Sequence, residues 1–177
     1  MNKKICLLIL LIGFFFTSCK KSDIEYQNSF EKSQQAWLNF KKANNNSYQY
    51  TVTGGTWIGR SWETRLSITN GKITQRHFKY TNLDEEFESN IPEDQLEWTE
   101  NEDELNSHEQ TPAAASLTLD EVYETAKNVW LKKQENATTY FKADNDGLIS
   151  SCGFVENNCM DDCFVGITIA KIEPLNQ

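Results

Sequence analysis

Trp62-Glu63-Thr64-Arg65-Leu66-Ser67-Ile68-Thr69-Asn70-Gly71-Lys72-Ile73 is the stretch on which the fold turns. Trp62, Thr64, Leu66 and Ile68 alternate with Glu63, Arg65 and Ser67, the period-2 pattern of a strand with one buried face. Asn70-Gly71 follows at once. Both residues tolerate positive φ, and a two-residue turn of that kind joins neighbouring antiparallel strands. Setting Thr69 opposite Lys72 pairs Ile68 with Ile73 and Leu66 with Gln75, and the return strand runs to about Tyr80.

Working outward, Tyr48, Tyr50 and Val52 alternate with Gln49 and Thr51, a further half-buried strand that Gly54-Gly55 interrupts. Before it, Tyr26, Phe30, Trp37 and Phe40 fall near one face at 3.6 residues per turn, and Asn44-Asn45-Asn46 ends that helix. Beyond the hairpin, Gln95 to Thr99 reads as a strand. Thr118-Leu119-Asp120-Glu121 is a capping box, with threonine at the N-cap and glutamate three residues on. Leu119, Val122, Tyr123, Ala126, Val129, Trp130 and Lys133 then keep helical spacing, which predicts a helix from about Leu119 to Gln134. Thr138 to Ala143, Leu148 to Val155 and Phe164 to Ile172 read as strands. Asp146-Gly147 turns between the first two, and Pro174 ends the run.

The order is helix, three or four strands, helix, three strands. Strands joined by short turns are antiparallel, and helices covering one face of such a sheet make an α+β architecture. The halves echo each other. Trp37-Leu38 precedes Tyr48 as Trp130-Leu131 precedes Tyr140, which suggests a duplicated helix-then-sheet unit.

The amino terminus reads as a processing signal. Lys3 and Lys4 precede Ile5 to Phe16, twelve uncharged residues. A membrane-crossing helix needs about 20 apolar residues, and twelve is the length of a signal-peptide core. The stretch closes on Phe16-Thr17-Ser18-Cys19. This ending resembles the lipobox of bacterial lipoproteins, which implies removal of residues 1–18, diacylglycerol on the Cys19 sulfur and further acylation of the new amino terminus. Two or more acyl chains give a stable membrane anchor. Residues 19–29 are then a lipidated cysteine and tether, and 30–177 one domain, on a scale that supports a real core. The expected location is the cell envelope, with the lipid in the outer membrane.

Removing the signal leaves 15 basic against 26 acidic residues. That balance argues against nucleic acid as a partner. Twelve of the acids lie between Asn82 and Gln110, where there is no Lys or Arg. The segment from about 82 to 117 reads as a long acidic loop, although Phe87, Ile91, Leu96, Trp98 and Leu105 break its polarity. In an exported chain, neighbouring cysteines pair. A hairpin centred between Asn157 and Asn158 sets Cys152 opposite Cys163, so that disulfide is the expected one. Cys152–Cys159 and Cys159–Cys163 are the alternatives.

No catalytic constellation stands out. His77 sits in a strand beside Gln75 and Lys79, His108 in the acidic loop, and nothing joins either to Cys159 as a thiol–imidazole pair. The cysteine spacing is poor for zinc. Asp144-Asn145-Asp146-Gly147 resembles a calcium loop but lacks the preceding acid and the closing glutamate, so a turn is the plainer reading. No catalytic residue, cofactor or metal ligand is assigned. Trp57, Trp62, Trp98, Tyr48, Tyr50, Phe78 and Tyr80 concentrate in the first strands, either as core under the helix or as a ligand face on an open sheet.

Tyr48-Gln49-Tyr50-Thr51, Asn70-Gly71-Lys72, Thr118 to Tyr123, Gly147-Leu148-Ile149 and Asp161-Asp162-Cys163 before Gly166-Ile167 together resemble a family of small bacterial lipoproteins. Its α+β domain has no activity attached to it. The resemblance implies fold and location and supplies no catalytic residues. The expected function is a membrane-anchored, non-enzymatic module that binds a protein, peptide or glycan through a sheet face or the acidic loop. The alternative is a calcium-dependent binding or scaffold module that uses that loop.

Overall fold

A computed structural model describes residues 23–108 and 110–175. The expected signal segment, Cys19 and the first residues of the expected tether lie outside the described residues. Helix α1 (Gln27–Ala43) is followed by strands β1 (Tyr48–Gly55), β2 (Ser61–Thr69) and β3 (Lys72–Asn82). Two short helices, α2 (Glu85–Glu88) and α3 (Glu93–Leu96), lead into β4 (Glu97–Asn101). Helix α4 (Leu119–Thr125) then precedes β5 (Ala137–Lys142), β6 (Ser151–Glu156) and β7 (Val165–Pro174). Among the described residues the strands form one antiparallel sheet in the order β4-β3-β2-β1-β7-β6-β5. The chain is an α+β protein, and among the described residues no helix is long and apolar enough to cross a membrane.

The Asn70-Gly71 turn has φ of 51° and 81°, the left-handed pair that this hairpin type needs. Thr69 faces Lys72 and Ile68 faces Ile73, as the alternation requires. Thr74 then bulges, so Gln75 faces Ser67 and it is Arg76, not Gln75, that stands opposite Leu66. A one-residue bulge swaps which side chains point inward. Here it turns a guanidinium toward the helices, where it is 4% exposed.

One core lies between the helices and one face of the sheet. Phe30 and Trp37 of α1 meet Tyr48, Tyr50, Leu66, Ile68, Ile167 and Ile169 of the strands, Leu119, Val122 and Tyr123 of α4, and Ala126 just after it. The tyrosine hydroxyls inside it are paired. The Tyr123 hydroxyl lies 2.7 Å from Ser33 Oγ and accepts from the Ile149 N–H at 3.2 Å. Tyr48 Oη accepts the Leu119 N–H at 2.8 Å, fixing the start of α4 to the central strand.

The capping box forms as expected, with Thr118 and Glu121 each holding the other's backbone N–H. The helix ends earlier than its apolar spacing implies. After Thr125 it widens into a π turn, Ala126–Trp130, closed by Leu131 N–H to the Ala126 carbonyl at 2.9 Å. The extra residue rotates the end of the helix, so Leu131 is buried and Val129 faces solvent. Residues 132–134 are not helical, and Lys132 bridges to Ile24.

That bridge also moves the domain boundary. Ile24 and Glu25 already bond to the 131–133 segment and α1 begins at Gln27, so residues 23–29, expected as tether, are part of the fold. The acidic segment is not one long loop either: α2, α3, β4 and a 3₁₀ turn (Glu102–Glu104) occupy much of it. Asp84 caps α2 by accepting the Phe87 N–H at 2.8 Å.

The halves share an order of elements but not a place in the sheet. The strand after α1 is central and its Tyr48 is fully buried, whereas the strand after α4 is an edge and its Tyr140 is 45% exposed.

Candidate interaction surface

Helices α1 and α4 pack on one face, which leaves the other face of the sheet open. The alternation that buries Tyr48, Tyr50, Leu66 and Phe78 points their neighbours outward. On the β1–β4 half these are charged or polar. Thr51 lies between Lys171 and Arg65 in register, with His77 and Thr99 continuing the row. Most of these groups satisfy one another. Gln49 Nε2 donates to Glu173 at 2.6 Å, Lys79 pairs with Glu63 at 3.1 Å, and His77 meets Glu97 at 3.3 Å and Thr99 at 3.0 Å. A surface of mutually paired, hydrated side chains calls for no ligand.

The β5–β7 half is different. Cys152 faces Phe141 and Ile167 on the helix side, which sends the alternate residues outward. Tyr140, Gly153 and Gly166 form one outward row; Lys142, Ser151 and Thr168 form the next. At the glycines there is no side chain to raise the floor. Phe164 lies across both: a Cβ on Gly153 would meet its ring at 2.6 Å, and one on Gly166 at 2.9 Å. Beside that ring, at the β5 edge, lies a shallow depression of about 390 Å³, with Tyr140, Phe141, Val155 and Phe164 as aromatic and apolar walls and Lys142, Ser151 and Thr168 around them. Tyr26 closes the β5 side, its hydroxyl donating to the Thr139 carbonyl at 3.3 Å. Concave apolar surface with a few polar groups at its margin is the common form of a binding site.

The aromatics of the first strands are mostly not part of this surface. Tyr48, Tyr50 and Phe78 are core, Trp98 stacks on Phe78, and Trp62 and Tyr80 meet edge to face on the helix side. Trp57 alone of that set stands clear, at the tip between β1 and β2.

The cysteines pair differently from the expected register. Cys159 and Cys163 form the disulfide, their Cα atoms 6.1 Å apart, and Cys152 is a free, buried thiol. The reason is the hairpin. Phe154 faces Val165 and Cys152 faces Ile167, so the loop is longer than a turn centred at Asn157-Asn158 and carries Cys163 away from Cys152. Burial pushes the Cys152 thiol up to about 12, and the thiolate is the reactive form. The native protein is therefore expected to resist iodoacetamide at pH 8, and to take up one label per chain at Cys152 only after addition of denaturant. Labelling at equal rates in both conditions, read by mass spectrometry, would contradict this burial.

His108 and Cys159 do not meet. His108 lies flat on Trp98, ring centroids 4.3 Å apart, and its Nδ1 is 3.1 Å from Glu100 Oε1. Ser107 Oγ lies near the same Nδ1 and the same carboxylate, at 3.2 Å from each. A serine nucleophile would need the other ring nitrogen as its base, with the carboxylate on Nδ1. Glu100 also accepts the His108 and Asn106 N–H groups at 2.8 and 2.9 Å and the Arg76 guanidinium at 3.1 Å. Burial works against its charge, but these donors outweigh burial and hold its carboxyl down to about 2. A carboxylate that stays ionised throughout the neutral range and spends its lone pairs on the protein is a structural clamp, not a general acid or base.

Asp144-Asn145-Asp146-Gly147 is a hairpin turn, with φ of 51° at Asp146 and 87° at Gly147. Asn145 Nδ2 donates to the Ile149 and Ile169 carbonyls, at 3.1 and 3.0 Å. Among the described residues no three of His, Cys, Asp or Glu gather where one metal ion would hold them together. No protein-family model, curated protein or solved structure matches the chain.

Proposed function

We propose that the protein is a lipid-anchored component of a bacterial cell envelope that holds a partner on the open face of its β5–β7 half and performs no chemistry there. The carrying observation is the Phe164 ring laid over Gly153 and Gly166 beside Tyr140, a flat aromatic platform with Ser151, Thr168 and Lys142 along one side. Aromatic rings held rigid at a surface bind flat apolar groups with little loss of side-chain freedom. The hydroxyls and the ammonium offer hydrogen bonds and a charge to whatever surrounds that flat group. A glycan ring or a proline or aromatic side chain of a peptide fits this chemistry. The anchor is supported by Phe16-Thr17-Ser18-Cys19 after the twelve-residue uncharged core.

The test is site-specific crosslinking in cells with the full-length chain. A benzophenone amino acid in place of Tyr140 is expected to give a discrete adduct that weakens with Phe164→Ala. The same probe at Arg65, on the charged half, is expected to give none. Identical adducts from both positions, or none from Tyr140, would remove the platform as a binding surface.

A further inference from the structure

Two tips with exposed apolar side chains stand at one end of the sheet. Between β1 and β2, Trp57 is 76% exposed and Ile58 51%. Between β6 and β7, the disulfide loop holds out Met160, 93% exposed. The tips are tied together: the Trp57 N–H donates to Asp162 Oδ1 at 3.0 Å. The β1–β2 tip is shaped by hydrogen bonds of its own, from Thr56 N–H to the Arg60 carbonyl and from Gly59 N–H to the Thr56 carbonyl. Isolated exposed apolar residues are ordinary, but large ones gathered on adjoining tips mark a contact surface.

The strand directions place the chain's entry at the same end. β1 runs toward the Trp57 tip and β7 runs away from it, so β6 ends and β5 starts there. Ile24 bridges to Lys132, just ahead of β5, and the Asp23 carbonyl accepts the Lys133 N–H at 3.0 Å. Only three residues separate Asp23 from Cys19. Four residue steps extend to about 14 Å at most.

We infer that this end docks on the bilayer, with Trp57, Ile58 and Met160 seated at the lipid–water interface; the inference rests on the lipid anchor at Cys19 proposed above. An acylated Cys19 holds Asp23 within about 14 Å of the headgroups, which leaves the tips facing the same surface. Tryptophan favours that interface because its ring is apolar and its N–H is polar. The charge of this end selects the lipid. Glu85, Glu86, Glu88, Asp161 and Asp162 lie on the connections at this end, where Asp84 is paired with Arg60 at 2.8 Å and Lys132 and Lys133 stand beside the chain's entry. The unpaired acids of these connections outnumber the cations and would be repelled by an anionic leaflet, so the tips seat on a zwitterionic one. The open sheet face then stands as a wall rising from the membrane.

The test uses the full-length chain, isolated from cells that process it and placed in vesicles of dibrominated phosphatidylcholine, beside its Trp57→Phe variant. The difference between their emission spectra reports Trp57, which packs on nothing the fold needs. That difference is expected to lose most of its intensity to the bromines, to be shielded from aqueous iodide, and to lose both effects when half the lipid is made anionic. Three results overturn the inference. If Cys19 proves acylated by mass spectrometry while Trp57 is quenched by iodide and untouched by bromine, the docking fails and the anchor stands. If Trp57 is shielded from both quenchers, another protein surface covers the tip. If Cys19 carries no lipid, anchor and docking fail together.

Discussion

Replacing Glu100 with alanine is expected to lower stability by roughly 3–5 kcal/mol, the usual cost of leaving one member of a buried ion pair without its partner. Glu100 is fully buried and Arg76, 3.1 Å away, nearly so. The damage spreads beyond the pair. The same carboxylate anchors the Asn106 and His108 N–H groups, and Arg76 Nε donates to the Ala114 carbonyl at 2.9 Å. Ala114 N–H in turn donates to Thr64 Oγ1 at 2.9 Å. One ion pair thus pins the whole crossing from β4 to α4 over the outer strands. Urea unfolding of Glu100→Ala and Arg76→Ala should give similar losses, and the double variant much less than their sum. Additive losses would show that the two do not act as a pair.

The same clamp predicts a pH dependence. Glu100 is held at about 2 against an ordinary value of 4.5. Its folded value lies below its unfolded one, so its stabilisation is complete above the unfolded value. That contribution disappears as pH falls from about 4.5 toward 2. The gap corresponds to roughly 3 kcal/mol. The Glu100→Gln variant should show a flatter stability curve over that window than the native chain.

Gly166→Ala is the second large effect, expected to cost about 3 kcal/mol, the upper end of ordinary overpacking. A Cβ there would lie 2.2 Å from the Cys152 carbonyl oxygen and 2.5 Å from the Gly153 Cα. Those are backbone atoms, which cannot swing away as a side-chain end can. Strands β6 and β7 would have to part, and the floor of the aromatic platform with them. Gly59→Ala is the comparison: it carries a positive φ of 91° with nothing within 4 Å, so only the local conformational cost of about 1 kcal/mol applies. Thermal unfolding of the two variants should separate them clearly, and equal losses would refute the close β6–β7 approach.

The features legible in the sequence are those whose causes are local. Asn70-Gly71 needs only two residues with tolerance for positive φ. Thr118 and Glu121 need only each other's backbone. The alternation at Tyr48, Tyr50 and Val52 reports one buried face whatever covers it. What could not be read depends on distant partners. The bulge at Thr74 suits Arg76 because Glu100 waits on β4 and Ala114 beyond it. The π turn after Thr125 answers to the Ile24–Lys132 bridge, whose members are 108 residues apart in number. The cysteine pairing escapes local reading because a centre at Asn157-Asn158 is the simplest turn, whereas Phe154 pairs with Val165. The platform does leave a trace in the chain. Gly153 and Gly166 each interrupt an apolar strand pattern, and a glycine there often marks close approach of another group.

The sheet order has a consequence for how the chain reaches its native form. β1, near the start of the domain, completes its pairing only with β7, the final strand: Tyr48 faces Pro174. Contacts so distant along the chain slow the search for the native state. A nascent polypeptide that ends short of Val165 would expose the backbone edge of its most central strand, an invitation to mispairing with a second molecule. Maturation of the whole domain is therefore timed by the arrival of its last ten-residue strand.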